Sequence, residues 1–223
     1  MEVCAPISPV SRIFDSASRT GAGARLVAEI LAAPLTDAGE INRRLDAVEW
    51  LAGAITGEDF KWWYASSVPG PGFLCAANLK LPCAWGAVKS LRALANLPPS
   101  LQSPKVKKAV EATIEFLFSR DLAKADYPVY ERISGEWFKF GFPLSYTSAV
   151  LEASLALAEA GYGRDPRLKR TIEVIISKRD ADGRWTLKHS LNGKIWTDIE
   201  VKGKSSKWVT LRALRVLRAT GVE

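Results

Sequence analysis

Two stretches of the chain that share one internal order decide its fold. The first is CAWGAVKSLRALANLPPSLQSPKVKKAVEATIEFLFSR (residues 83–120), and the second is YTSAVLEASLALAEAGYGRDPRLKRTIEVIISK (residues 146–178). In each, apolar residues at helical spacing run to a proline or glycine break, and a second such run follows. That second run begins at Ser103–Pro104 or Asp165–Pro166, a helix cap followed by proline at the first helical position. The sequence therefore predicts a helix pair that is repeated after about 60 residues.

Further helical patterns lie on both sides of this repeat. Residues 207–221 are similar to the first helix of the pair and predict the start of a third copy. Two more helices are predicted before the repeat, over residues 25–33 and from residue 37 to about residue 52. Because one helix pair cannot bury both of its faces, we expect the copies to stack.

These patterns predict an all-α fold with two parts. A short helical N-terminal segment is expected over residues 1–56, and a repeat domain over residues 57–223. One small β-hairpin is expected near residues 185–202, because Asn192–Gly193 is typical of a hairpin turn.

Composition places the chain among ordinary globular proteins. Of its 223 residues, 48% are hydrophobic and 25% are charged. The sequence shows neither an apolar run of membrane-spanning length nor the pattern of a signal peptide. Three cysteines do not suit a secreted disulfide scaffold, so we expect a cytoplasmic protein.

The net charge of +7 is unevenly distributed, since residues 1–53 carry −2 and residues 54–223 carry +9. A basic face attracts phosphate, diphosphate or nucleic acid, and a solvated surface is the ordinary alternative. The sequence has no nucleic-acid-binding motif and no nucleotide-binding glycine loop. His189 is the single histidine and no metal-ligand spacing accompanies it, so we expect neither a metal site nor a cofactor.

The repeat and the turn after it resemble the α/α toroid superfamily of terpenoid cyclases and protein prenyltransferases. Squalene-cyclase-type repeats end in a glutamine followed by Asp-Gly-x-Trp. Here residues 182–185 (DGRW) match, and Arg179 stands in the place of the glutamine. Residues 60–223 most resemble uncharacterised bacterial prenyltransferase-like proteins. The stretches that carry this likeness are 82–98, 137–168 and 206–219.

This resemblance implies an incomplete α/α toroid. A complete ring has about a dozen helices, and this sequence predicts about seven or eight. The chain would form an open arc, or a second copy in a homodimer would complete the ring. The acidic Asp-x-Asp-Asp motif of class II cyclases, the prenyltransferase zinc motif and the thioester motif Gly-Cys-Gly-Glu-Gln are absent. The resemblance therefore implies a fold and an isoprenoid-like ligand without naming a reaction.

Residues 11–53 resemble a core helical segment of MutS-type DNA mismatch-repair proteins. The matching stretches are GARL (23–26), PLTD (34–37) and RRLDAV (43–48). In that family the segment connects helices and holds neither the ATPase site nor the mismatch reader. The resemblance therefore implies a structural role for this segment and no activity in DNA repair.

Aromatic residues at loop-to-helix junctions are the candidate ligand-binding residues. In toroids such junctions face the central cavity, where aromatic ring faces stabilise cations and bind flat hydrocarbons. Packing between the repeats is the alternative. The candidates are Trp63, Trp85, Trp137, Phe140, Phe142 and Tyr146.

Catalytic and anion-binding candidates are fewer. Asp126 and Asp182 lie near the aromatic residues, where burial would raise the pKa of a carboxyl and make it a general acid. Cys83 precedes a helix, and a low-pKa thiol there would be a nucleophile. Lys204, Lys207 and Arg215 form a basic stretch that would hold a diphosphate near the start of the last helix.

Three functions are consistent with these observations. The first is binding, or conversion, of an isoprenoid-like apolar ligand. The second is a non-catalytic helical scaffold that binds a protein partner on a concave surface. Nucleic-acid binding through the basic C-terminal part is the third and ranks below the other two. The sequence leaves open whether the protein is an enzyme.

Overall fold

The structure is a computed structural model that describes residues 38–56, 74–75, 81–127, 135–144 and 147–222. The helix expected over residues 25–33 lies outside these ranges, as do Trp63 and Tyr146.

Most of the described chain is helical, as predicted. The helices are α1 (Ala38–Thr56), α2 (Ala84–Ala95), α3 (Pro104–Phe118), α4 (Val150–Leu157), α5 (Lys169–Ile176) and α6 (Lys207–Thr220). Two antiparallel pairs of very short strands join them: β1 (Leu74–Cys75) with β2 (Leu81–Pro82), and β3 (Trp185–Thr186) with β4 (Ser205–Ser206). None of the described helices is long and apolar enough to cross a membrane.

The two predicted caps start their helices as the sequence indicates. The Ser103 hydroxyl accepts a hydrogen bond from the Val106 amide at 3.2 Å, at the start of α3. The Asp165 carboxylate accepts one from the Arg167 amide at 2.9 Å. The second cap opens a tighter 3-10 turn over Pro166–Leu168, so α5 begins three residues later than the cap alone predicts.

The core shows how the helices pack. Helix α1 buries Val48, Leu51 and Ile55 in one apolar cluster with residues of α2 and α3. This contact crosses the boundary that the sequence predicts after residue 56. A larger cluster joins α2 and α3 to α4, α5 and α6, and the fully buried Trp185 belongs to it.

Helix α4 lies between α2 and α6 and contacts both. These three helices are the ones that the sequence predicts to be the first helices of successive copies. The chain leaves the end of α4 through Gly163, where a Cβ atom would lie only 2.7 Å from the carbonyl oxygen of Ala219. A glycine is required there because the backbone passes directly against α6.

The turn after α5 is held by backbone hydrogen bonds to one carboxylate. Asp180 Oδ1 accepts from the amides of Asp182 (3.1 Å) and Arg184 (2.7 Å). Trp185 then enters the core, and its Nε1 donates to the carbonyl of Ile175 at 2.7 Å. The Arg179 guanidinium lies 5.6 Å from the centre of the Trp185 ring, so the arginine makes a cation–π contact.

The β-hairpin differs from the prediction in its register. Strands β3 and β4 pair Trp185 with Ser206, so the pairing closes beyond residue 202 and leaves a long loop between the strands. Gly193 has the positive φ (73°) of the predicted turn. The side-chain amide of Asn192 donates a hydrogen bond to the Glu200 carbonyl at 2.7 Å, within the loop. The turn that the local sequence predicts is present, but pairing between residues far apart in the chain determines where the strands lie.

A candidate ligand-binding site beside a buried ion pair

A buried ion pair joins α2 to α4 at the centre of the described chain. Lys89 Nζ lies 2.6 Å from Glu152 Oε1, and the two residues are only 8% and 2% exposed. Apart from Ser90 and Ser154, the other buried residues of these two helices are apolar. Burial lowers the pKa of the Lys89 ammonium, and the adjacent Glu152 carboxylate opposes that change. Removing either partner would leave the other as an uncompensated buried charge, which is strongly destabilising.

The ion pair continues as a network toward the surface. Arg92, one turn after Lys89, lies between two carboxylates, with Nη1 3.7 Å from Glu152 Oε1 and Nε 3.5 Å from Glu159 Oε2. Arg215 of α6 donates to Glu159 Oε1 at 3.0 Å. The network therefore connects α2, α4 and α6 through charged side chains.

Arg212 of α6 approaches the same cluster from another side. Its Nη2 donates to the Gly141 carbonyl at 2.6 Å, and its guanidinium lies 5.6 Å from the centre of the Phe142 ring. Burial lowers the pKa of Arg212 to about 10, and Glu152 only partly offsets that effect. The guanidinium thus stays charged at neutral pH in a place that solvates it poorly.

A pocket opens next to Glu152 and Arg212. Its volume is about 20 Å³, room for about one water molecule, and it opens to solvent. Apolar side chains line it, among them Phe140, Leu144 and Leu151. Its polar lining includes Lys139, Glu152, His189 and Arg212. This volume is far below the roughly 300–1,000 Å³ of typical small-molecule sites, so only the head of a ligand would enter the pocket.

Glu152 lines this pocket and leaves one hydrogen-bonding atom without a partner. Its Oε1 binds Lys89, whereas Oε2 is buried and has no hydrogen-bond partner within the described part of the chain. Glu159 Oε2 also lacks a hydrogen bond there, but it faces the Nε of Arg92 and does not line the pocket. A buried carboxylate oxygen without a donor is unusual, because native proteins satisfy almost all such atoms.

The wall of the pocket is tied to the β3–β4 loop. The His189 amide donates to the Phe140 carbonyl at 3.2 Å, and the Phe142 amide donates to the His189 carbonyl at 3.1 Å. A Cβ atom at Gly141 would lie 3.0 Å from the Cβ and the carbonyl oxygen of His189. The absence of a side chain at residue 141 therefore lets the two segments approach closely.

Glu136 contacts two residues that line the pocket, Lys139 and His189. Its carboxylate lies 2.5 Å from Lys139 Nζ and 3.1 Å from His189 Nδ1. These contacts, first of all the hydrogen bond from Lys139, lower the pKa of Glu136. This carboxylate thus lies between two basic side chains.

The charges at the site do not balance. The cations are Lys89, Arg92, Arg212 and Arg215, and the carboxylates that interact with them are Glu152, Glu159 and Glu200. The described residues contain no group of three histidine, cysteine or acidic side chains that could hold a metal ion. The arrangement suits a ligand whose polar head both donates a hydrogen bond and accepts one, because an unpartnered acceptor lies beside an excess of donors.

The predicted aromatic residues are divided between this site and the core. Phe140 lines the pocket, and Phe142 stacks on Trp208 with ring centres 5.0 Å apart. Trp137 is buried in the main core, where its Nε1 donates to the Leu122 carbonyl at 2.8 Å. Trp85 packs against the same core, and its carbonyl accepts from Ser148 Oγ at 3.4 Å.

The predicted catalytic residues lie apart from the pocket. Asp126 and Asp182 are exposed, and each takes part in a local turn. Cys83 is half-buried at the start of α2. The structure therefore does not bring these three side chains together.

The predicted anion-binding residues also do not converge on a common point. Arg215 binds Glu159, as described above. Lys204 and Lys207 are exposed, and the backbone amide of Lys207 donates to Glu200 Oε1 at 3.0 Å. An acidic side chain thus occupies the start of α6, where the sequence suggested an anion.

Sequence reasoning missed Lys89, Glu152 and Arg212 as a group. One signal was present, since Glu152 is the only charged residue between Tyr146 and Ala158. A lone charge in an apolar helix indicates either a buried pair or a functional group. Its partner lies 63 residues away, a distance that no local pattern covers.

Comparisons with known proteins do not place the chain in a family. No protein-family model matches the sequence. No solved structure matches the chain either. The candidate site is therefore defined by its own contacts, above all by the unpartnered oxygen of Glu152 at the pocket.

Proposed function

We propose that the protein binds a small amphiphilic molecule with an apolar body and a terminal hydroxyl group, and that the hydroxyl group enters the small pocket beside Glu152. The observation that carries this proposal is the buried Oε2 of Glu152, which has no donor among the described residues, in a side chain that lines a pocket. A ligand hydroxyl would donate to this oxygen and accept from the Arg212 guanidinium. The apolar wall at Phe140 and Leu151 would contact the body of the ligand.

An isoprenoid alcohol is the ligand class that we favour. The repeat resembles the α/α toroids of terpenoid cyclases and prenyltransferases, which handle isoprenoids. We propose that the helix pairs α2–α3 and α4–α5, together with α6, form part of such a toroid. The position of α4 between α2 and α6 supports this arrangement. An ionised diphosphate suits the pocket less well, because its charge would lie beside the Glu152 carboxylate.

The test compares three ligands that share one carbon skeleton: farnesol, farnesene and farnesyl diphosphate. Binding to the full chain is measured by isothermal titration calorimetry. We expect farnesol to bind at least about tenfold more tightly than farnesene, since a hydrogen bond to a charged group is worth about 1.5–3 kcal/mol. Equal affinity for farnesol and farnesene would contradict the proposed hydrogen bond to Glu152. If none of the three ligands bound, the proposed function would be wrong.

Two variants make the test specific. Glu152→Gln keeps the size of the side chain and should reduce farnesol binding at least about tenfold. Glu159→Gln is the matched control, because Glu159 lies on the next turns of the same chain segment and outside the pocket. Circular dichroism establishes that both variants are folded at the temperature used. If the Glu159 variant lost binding to the same extent, the effect would belong to the network and not to the pocket.

A second candidate function is a scaffold that associates with another copy of itself. Helix α6 contacts α4 on one side and exposes Leu211 (49%) and Leu214 (45%) on another. Since α4 has a helix neighbour on both sides, a second copy would give α6 the equivalent neighbour. Light scattering of the wild type and of the double variant Leu211→Lys, Leu214→Lys tests this candidate. A wild type that is monomeric at all concentrations would contradict it.

A further inference from the structure

The loop between β3 and β4 presents apolar side chains to solvent. Trp196 is fully exposed, and Ile199 and Val201 are 45% and 66% exposed. Three large apolar residues within six positions are unusual on the surface of a soluble domain, where such residues are normally scattered.

Hydrogen bonds hold the loop in this conformation. Its base is closed by the bonds from the Leu187 amide to the Lys204 carbonyl and from the Gly203 amide to the Leu187 carbonyl, both 2.8 Å. Its tip is closed by the bond from the Gly193 amide to Asp198 Oδ1 at 2.9 Å. Trp196 lies inside that last turn, so the turn itself presents the indole ring to solvent.

The loop also carries a positive charge. The lysines of residues 188–207 are Lys188, Lys194, Lys202, Lys204 and Lys207, and all five are exposed. The acidic residues of the same stretch have local partners: Asp198 accepts from the Gly193 amide, and Glu200 accepts from Ser206 and Lys207 at the start of α6. These partners are uncharged, so both carboxylates keep their charge, and five lysines against two carboxylates leave this stretch with a net charge of +3.

We propose that this loop docks the protein on the surface of a bilayer that contains anionic lipids. A tryptophan prefers the boundary between headgroups and hydrocarbon, and exposed isoleucine and valine side chains gain by entering the same layer. Lysines around them bind anionic headgroups, each contributing about fivefold in affinity. A nucleic acid is the less suitable partner, because it would stack on Trp196 but offers no apolar surface for Ile199 and Val201.

This docking differs from membrane spanning and is independent of the proposed function. The loop is nevertheless joined to the pocket wall, since His189 at its start is hydrogen-bonded to the segment that contains Phe140 and Phe142. Docking can be tested without any ligand in that pocket.

The experiment is sedimentation of the full chain with lipid vesicles at low salt. One set of vesicles is pure phosphatidylcholine, and the other also contains phosphatidylserine. We expect binding to the phosphatidylserine vesicles, weaker binding to the neutral ones and a marked loss of binding at high salt. No sedimentation with phosphatidylserine vesicles at low salt would overturn the proposal.

Three variants identify the surface that binds. Trp196→Ala should reduce vesicle affinity about tenfold, and the double variant Lys194→Glu, Lys202→Glu should abolish the preference for phosphatidylserine. Ile176→Ala, which removes an exposed apolar side chain of α5, is the matched control and should bind as the wild type does. Equal binding of the wild type and the Trp196 variant would overturn the proposal. So would binding of single-stranded DNA by a wild type that leaves the vesicles unbound, and this result would assign the loop to nucleic acids.

Discussion

The centre of the protein and its β3–β4 loop depart from the usual distribution of residues in opposite ways. At the centre, Lys89 and Glu152 place charges where apolar residues normally lie. In the loop, Trp196 and Val201 place apolar side chains where charges normally lie. The central charges form ion pairs with partners on other helices. The exposed side chains of the loop keep their positions because backbone hydrogen bonds fix the conformation of the loop. We therefore expect the same departure to have a large effect on stability in the first region and almost none in the second.

The largest effect is expected from breaking the central ion pair. Glu152→Ala leaves the Lys89 ammonium buried without its partner, so we expect a loss of about 3–5 kcal/mol in the free energy of unfolding. Urea denaturation measures it. Replacing both residues in Lys89→Met, Glu152→Met should recover most of that loss. A single variant as stable as the wild type would show that water solvates Lys89 in the folded protein.

A smaller effect is expected at the edge of the central network. Arg212→Met removes the hydrogen bond to the Gly141 carbonyl and should cost about 2 kcal/mol, the value of a bond from a charged donor. Arg212→Lys keeps the positive charge but lacks the forked N–H groups of the guanidinium. It should therefore recover only part of the lost stability. Thermal unfolding of the two variants checks this order. Greater stability of the methionine variant would mean that burying the guanidinium costs more than its bond contributes.

A pH effect of about 1 kcal/mol or less is expected at Glu136. The pKa of this carboxyl is lowered in the folded protein from its usual 4.5, so the unfolded chain binds more protons just below that pH. The stability that Glu136 contributes is therefore present above pH 4.5 and is lost as the pH falls through the folded value. The effect is small because water screens this partly exposed group. Denaturation between pH 3 and pH 6 should show a flatter profile for Glu136→Gln, and identical profiles would contradict the prediction.

The smallest effect on stability is expected in the loop. Trp196→Ala removes a fully exposed side chain and should change the free energy of unfolding by less than about 0.5 kcal/mol. Denaturation with urea checks this next to the Glu152 variant. A loss above about 1 kcal/mol would show that the indole packs against the protein in solution.

The sequence predicted the features that depend on contacts between residues close together in the chain. The caps at Ser103 and Asp165 depend on contacts two or three residues away, and both are found in the structure. The turn at Gly193 is equally local, but the strands beside it pair according to contacts some 20 residues apart. For the same reason the junction aromatics could not be assigned from the sequence. Trp137 and Phe140 are three residues apart, yet one is bonded within the core and the other lines the pocket.

The candidate site was less predictable than the fold. Glu152 could be noticed as a lone charge in an apolar helix, but its partners come from α2 and α6. No spacing rule connects Lys89, Glu152 and Arg212, because only the packing of α4 between the other two helices brings them together. The toroid arrangement and the isoprenoid ligand remain predictions for the same reason, since both depend on how the copies close around a cavity.

The contact of Glu200 with the start of α6 limits how this protein can be redesigned. Its carboxylate accepts from the Ser206 hydroxyl and from the Lys207 amide, while Ser206 itself accepts from the Val209 amide at 3.0 Å. The loop thus supplies one of the groups that begin the helix. A foreign loop grafted between β3 and β4 would have to bring a carboxylate six residues before Ser206, or α6 would lose part of its cap. The loop is therefore not an interchangeable module, and its sequence and that of α6 must change together.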